Sequence, residues 1–168
     1  MDNTQIEYKK YSAKALVAED NPANQMLIKI LLQKHGIEST LVDNGQKAVE
    51  ATKGQDFDVV FMDMQMPVMN GYEATQALLQ DGFKTPIIAL TANAMSGDRE
   101  KCLETGCNDY LSKPIDRDLL MEILEKWLGS KNLDDQVEQV HEQAQELNQL
   151  VDETTPTEPQ SILKEEQL

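Results

Sequence analysis

Short apolar runs alternate with amphipathic stretches from about residue 13 to residue 128, and this rhythm sets the expected architecture. Ala15-Leu16-Val17-Ala18 reads as a buried strand that ends at Glu19-Asp20. Asn21-Pro22 then supplies an N-cap and a first-turn proline, opening a helix that Gly36 stops after His35. Residues 38–42 read as a second strand, and Asn44-Gly45 opens a helix that reaches Lys53-Gly54. Val59-Val60-Phe61-Met62 is a third strand, β-branched and aromatic at its centre, ending at Asp63. Residues 86–90 give a fourth, and Asp109-Tyr110-Leu111 a short fifth just ahead of Lys113-Pro114. Asp116 caps a last helix in which Leu119, Leu120, Ile123, Leu124, Trp127 and Leu128 make one wide apolar face.

Strands that are apolar throughout, separated by helices of about 10–15 residues, imply right-handed crossovers and a parallel sheet covered on both faces. The expected fold class is therefore α/β: a five-stranded, doubly wound parallel sheet over residues 13–129. In such a sheet every strand's carboxyl end lies on one edge, and polar groups placed there converge on a crevice.

Beyond Gly129 the pattern changes. Leu133, Val137, Val140, Ala144, Leu147 and Val151 recur every three or four residues, a seven-residue repeat flanked by Glu and Gln. Residues 130–153 read as an acidic amphipathic helix, with a weak homodimer and a lone helix both left open. Residues 154–168, with Pro156 and Pro159, read as a disordered acidic tail or linker. Residues 1–12 read as a polar N-terminal extension unlike a secretory signal.

Charge narrows the function. The chain of 168 residues has a net charge of −15, and residues 130–168 alone carry ten acids against two lysines. Repulsion from phosphate and anionic lipid argues against direct nucleic-acid or membrane binding. No apolar run approaches the roughly 20 residues that span a bilayer. Cys102 and Cys107, with no disulfide framework around them, read as small buried hydrophobes in a reducing compartment, and a cytoplasmic location is expected.

The strand ends carry the chemistry. The first ends in Glu19-Asp20, the third in Asp63, the fourth in Thr91, and the fifth is followed by Lys113. Three carboxylates brought together repel unless a cation neutralises them, and an all-oxygen ligand set suits magnesium, or manganese in its place. A carboxylate nucleophile, a hard cation, an ammonium and a hydroxyl together make a phosphoryl-transfer site. Pro67 and Gly71 bend the loop after Asp63 around it, and the small Ala92 beside Thr91 leaves room for a phosphoryl group.

The strings Val17-Ala18-Glu19-Asp20-Asn21, Asp63-Met64-Gln65-Met66-Pro67-Val68-Met69-Asn70-Gly71, Ala89-Leu90-Thr91-Ala92 and Asp109-Tyr110-Leu111-Ser112-Lys113-Pro114 resemble the receiver domains of two-component response regulators and hybrid sensor kinases. The resemblance covers residues 13–128 and implies a flavodoxin-like strand order 2-1-3-4-5. It also implies that Glu19, Asp20, Asp63 and the backbone carbonyl of Gln65 hold the metal, with Asp63 phosphorylated and Lys113 bridging to the phosphoryl group. Thr91 would turn toward that group, Tyr110 would swing inward as an aromatic switch, and Lys113-Pro114 becomes a candidate cis peptide. The Asp63–Pro67 and Leu90–Met95 wording, with Asp98-Arg99-Glu100-Lys101-Cys102 leading to Gly106, resembles receivers attached to hybrid kinases. These relay phosphate to a histidine phosphotransfer domain. In the family the first helix docks the histidine-bearing partner, which makes Met26, Leu27 and Ile30 the candidate partner surface. Glu19 is expected to act through a metal-bound water and Asp20 more directly. Gln65 and Asn93 flank the site as candidates for tuning water access.

The expected function is thus a signalling switch that accepts phosphate on Asp63 from a histidine kinase or phosphotransfer protein. It catalyses only its own phosphorylation and dephosphorylation. Two rivals remain: an interaction module that works without phosphorylation, and a phosphatase of the haloacid dehalogenase type. The phosphatase would require an acid where Gln65 stands, and a decayed module would lack one of the key groups, none of which is missing.

Overall fold

The computed structural model describes residues 8–92, 97–133 and 141–149. Contacts divide the chain into two units, residues 1–133 and 134–168. In the first, five strands and five helices alternate: β1 (Lys14–Ala18), α1 (Pro22–Lys34), β2 (Glu38–Val42), α2 (Gly45–Gly54), β3 (Val59–Asp63), α3 (Gly71–Gln80), β4 (Ile87–Thr91), α4 (Asp98–Thr105), β5 (Asp109–Ser112) and α5 (Arg117–Leu128). All strand pairs are parallel, in the order β2-β1-β3-β4-β5, as the sequence leads one to expect.

Strand periodicity sorts the core into two layers. Ala15, Val17, Val59, Phe61, Ile88, Leu90 and Leu111 pack with Ile28, Leu31 and Leu32 of α1 and Leu120, Ile123, Leu124 and Leu128 of α5. Their neighbours Leu16, Ala18, Val60, Met62, Ile87 and Ala89 pack on the other face with Ala48, Ala74, Leu78 and Cys102, from α2, α3 and α4. The three central strands are thus buried on both sides. β2, which reads Glu-Ser-Thr-Leu-Val, and β5 are only partly covered because they form the sheet's edges. Both cysteines are buried and free, and burial pushes both thiols up, Cys107 to about 11, which leaves them as inert core groups.

The first unit's core also takes in residues outside the apolar rhythm. Tyr11 is buried, pairs with Asn132 in an antiparallel bridge and donates its hydroxyl to Glu125 Oε2 at 2.9 Å. Ser12 N donates to Lys131 O, and Leu133 N to Lys10 O, so the polypeptide before β1 and the turn after α5 are stitched together. His35, buried at the end of α1, sits 2.8 Å by its Nδ1 from the Lys9 carbonyl. In the second unit residues 141–149 are helical, within the seven-residue repeat. Residues 154–168 and Asn93 lie outside the described residues, as do Val137, Val140 and Val151.

The loop after β3 is shaped by steric necessity. Gly71, read from sequence as a loop residue, is the first residue of α3, which Asn70 and Glu73 close with a reciprocal capping box. A Cβ at Gly71 would stand 2.2 Å from the Asp63 carbonyl oxygen and 2.8 Å from Met64 Cα. Backbone cannot yield there as a flexible side chain would. Gly71→Ala is therefore expected to cost about 2 kcal/mol or more in urea unfolding, as overpacking against a rigid neighbour does. Gly54→Ala, with nothing within 4 Å of the added Cβ, should be neutral or slightly stabilising in the same measurement.

Candidate functional site

Parallel pairing brings the polar strand ends together. Asp63 lies opposite Leu90 at the end of β3, and Thr91 lies opposite Ser112, which places Lys113 one residue beyond the edge of β5. Lys113 N also donates to the Thr91 carbonyl at 2.7 Å, and the Lys113-Pro114 peptide is cis.

The lysine side chain then turns into the crevice. Its Nζ lies 2.9 Å from Glu19 Oε2 and 2.9 Å from Asp63 Oδ2. Both carboxylates are buried, and neither of these two oxygens has a well-aligned hydrogen bond among the described residues. The ammonium holds them as a shared charge. Asp63 Oδ1 accepts the Gln65 N–H at 3.1 Å, so Gln65, itself exposed, already touches the acceptor through its backbone. Glu19 Oε1 accepts the Asn21 N–H at 3.1 Å and the Asn24 side-chain amide at 3.4 Å.

Asp20 differs from its neighbour. It is exposed, yet one of its carboxylate oxygens lies within 4.8 Å of oxygens from Glu19 and Asp63. The three acids offer three negative charges and Lys113 one positive charge, leaving an excess of two. A divalent cation matches that excess, and the donors are all oxygen, as a hard cation prefers. The Thr91 hydroxyl, buried at the rim, has no hydrogen-bond partner among the described residues.

Burial and the neighbouring charges shift both Asp63 and Lys113. Burial raises the Asp63 pKa from its ordinary 3.8 to about 6; Lys113 and the Gln65 N–H pull it down, and the Glu19 charge adds to the rise. Burial alone would lower the Lys113 pKa, but its contacts with Asp63 and Glu19 outweigh that and hold it above the ordinary lysine value.

The remaining expected residues take separate places. Ala92 and Pro67 are exposed at the rim, and Tyr110 is half-buried on β5 with the Arg99 guanidinium 5.1 Å from its ring. Met26, Leu27 and Ile30 stand out from α1, 53%, 39% and 44% exposed, while Ile28, Leu31 and Leu32 fill the core. What the sequence reading missed is the run of amides after the acid pair. Asn21 was read only as a cap; it also holds Glu19, as does Asn24. A cavity of about 420 Å³ near Tyr11, His35 and Met121 includes none of the clustered residues.

Comparison with known proteins identifies the family. The family model described as the response regulator receiver domain matches residues 15–125. The chain belongs to the receiver domain family. It is 46% identical over 120 residues to hybrid signal transduction histidine kinase I of Dictyostelium discoideum, covering 66% of this chain and 7% of that protein. With the sensor histidine kinase GacS of Pseudomonas protegens it shares 42% over 121 residues, covering 69% of this chain and 13% of the kinase. The chain therefore spans only a small part of the curated relatives it matches. Among solved structures, it is similar to the receiver domain of sensor histidine kinase PA1611 from Pseudomonas aeruginosa, which has magnesium coordinated in its active-site cleft. That match has 46% identity and a TM-score of 0.65, covering 70% of this chain and 98% of that one. The receiver domain of Ssk1, crystallised with the histidine phosphotransfer protein Ypd1 of Saccharomyces cerevisiae, matches at 34% identity and TM-score 0.66, covering 76% of this chain and 94% of that one. Among the described residues no helix is long and apolar enough to cross a membrane.

A folded-state pKa above the unfolded value means that ionising Asp63 costs stability. The wild-type protein should lose stability as pH rises from about 4 to 6 and lose no more from this group above that range. Metal-free Asp63→Asn should thus be the more stable by about 1–3 kcal/mol at pH 7.5, with the gap closing toward pH 4. Urea unfolding in a chelator measures it, and added magnesium should narrow the gap by stabilising the wild type alone.

Proposed function

We propose that this chain is a phosphorelay receiver in which Asp63 accepts a phosphoryl group from a phosphohistidine of a histidine kinase or histidine phosphotransfer protein. A carboxylate oxygen of Asp63 attacks phosphorus in line, the bond from phosphorus to the imidazole nitrogen breaks, and the imidazole leaves. Magnesium, or manganese in its place, would be held by Asp20, Asp63 and the Gln65 backbone carbonyl, with Glu19 acting through a metal-bound water. When bound, the ion supplies positive charge to the phosphoryl oxygens and to the carboxylates around it.

The observation that carries this reading is one ammonium shared by two buried carboxylates in a three-acid cluster, 2.9 Å from each. Lys113 is placed to pass from Asp63 to the incoming phosphoryl oxygens. The unpartnered Thr91 hydroxyl is a ready donor to the same group, with Ala92 leaving it room and Tyr110 following inward. Domain by domain, residues 13–129 act as the receiver; of the acidic stretch expected to be helical from 130 to 153, residues 141–149 are helical, while Gly129–Lys131 form a 3-10 turn and Asn132 a bridge to Tyr11, and a weak homodimer stays open. With a net charge of −15, output passes through protein contacts and not through nucleic acid or a membrane surface. The two free thiols agree with a reducing cytoplasmic setting. The domain acts on itself, promoting its own phosphorylation and hydrolysis, and turns over no other substrate.

Incubation with acetyl phosphate and magnesium should add one phosphoryl group per chain by mass spectrometry. Chelator or Asp63→Asn should abolish it, and Lys113→Ala should slow it by ~10²-fold, as loss of one preorganised charge does. A protein that stays unlabelled and indifferent to metal under every donor would sink the proposal.

The exposed Met26, Leu27 and Ile30 lie on the helix that starts at the acid pair, where a phosphohistidine-bearing partner must approach. Met26→Ala and Ile30→Ala should slow transfer from a phosphotransfer protein several-fold while leaving acetyl phosphate labelling within about twofold. Equal slowing with both donors would remove the docking role.

A further inference from the structure

Six residues beyond Glu19, on the second turn of α1, Gln25 reaches back over the helix start. Helical side chains lean toward the N-terminus, so a long amide here points at the carboxyl ends of β1 and β2. Its Nε2 donates to the Glu19 carbonyl at 2.6 Å and to the Val42 carbonyl at 3.2 Å. The Val42 carbonyl also accepts the Glu19 N–H at 3.0 Å, so Glu19 and Gln25 meet at one oxygen. Gln25 is half-buried and lines a cleft of about 300 Å³ together with Asp20, Val42 and Asp43.

These bonds fix the peptide that joins the two acids. The Glu19 carbonyl belongs to the same peptide unit as the Asp20 N–H, so pinning that carbonyl sets the plane from which the Asp20 side chain departs. Glu19 has other restraints, namely Lys113, the Asn21 N–H and the Asn24 amide. No side-chain hydrogen bond or ion pair of Asp20 is among those found in the described residues, and its carboxylate is exposed. The orientation of the one exposed acid of the cluster therefore depends on its backbone.

We infer that Gln25 is a positioning residue for the metal site, holding the Glu19-Asp20 peptide so that the Asp20 carboxylate faces Asp63 before an ion arrives. The inference rests on the metal-dependent reading of the cluster. It assigns to a residue outside that cluster part of the affinity for the ion. Partners of this kind orient ligands without touching the metal, and their loss weakens binding while leaving the ligands in place.

The test compares wild type with Gln25→Met, which keeps the length and loses both donors, and Gln25→Glu, which keeps the shape but sets acceptors against the two carbonyls. Magnesium titrated calorimetrically into each protein should bind the variants about tenfold more weakly. Acetyl phosphate labelling should require correspondingly more magnesium, and its maximal rate should return to within about twofold at saturation. Amide exchange in the metal-free variants should be faster at Asp20 and Asn21, with the urea midpoint reporting any global loss separately. Equal magnesium affinity in wild type and both variants overturns the positioning role. So does a lower maximal rate with unchanged affinity. A wild type that binds no magnesium overturns the reading of the cluster itself, an outcome distinct from either.

Discussion

One ammonium among three carboxylates is the constraint from which the rest of the site follows. Lys113 touches Glu19 and Asp63 equally, so it cannot satisfy either as a closed ion pair would. In a buried setting such a shortfall is costly, and burial, with the Glu19 charge adding to it, raises the Asp63 pKa to about 6. A site built for stability alone would have added a second cation or exchanged an acid for an amide. The chain keeps the imbalance at the one edge of the sheet where all strand ends meet. A divalent ion or a transferred phosphoryl group would change the charge there and give Lys113 a different partner.

The fold can bear that imbalance because the acids sit on its most rigid parts. β1 and β3 are central strands, covered on both faces by α1 and α5 on one side and by α2, α3 and α4 on the other. Glu19 and Asp63 emerge from the ends of these strands, where the preceding residues are wholly enclosed. The groups proposed to respond have looser settings. Lys113 and Tyr110 come from the edge strand β5 and its loop, only partly covered, and the next loop begins at Ala92. Fixed acids on central strands and freer groups on the margin are the division of labour that a switch needs.

Residue by residue, the sequence was most legible where a local rule and the global topology agree. The five strand positions could be read because buried parallel strands are continuous apolar runs, and once they are parallel, Glu19, Asp20, Asp63, Thr91 and Lys113 have to meet. The exposed half of α1 was legible for a similar reason: Met26, Leu27 and Ile30 exceed what one buried stripe can use. Tyr11 and Asn132 were not legible, because a tyrosine in a polar stretch and an asparagine after a turn have no periodicity. Their burial arises only when the two ends of the first unit come together. The amides Asn24 and Gln25 were hidden differently. Each is an ordinary helix-surface residue by propensity, and its role depends on the reach of a side chain back to strand ends that the helix itself follows.

The Glu-Asp order of the acid pair gains a physical meaning from these contacts. Adjacent residues at the end of a strand point in different directions, and here the first is buried while the second is exposed. In the buried place the longer side chain reaches Lys113 with one oxygen and the Asn21 N–H with the other. The exposed place needs the shorter side chain, since a carboxylate close to its backbone inherits the rigidity of that backbone and spends less rotamer entropy on being held. In this arrangement Glu19 holds the lysine in the crevice and Asp20 is exposed to solvent. The two acids thus divide the work that their formal charges alone would make them seem to share.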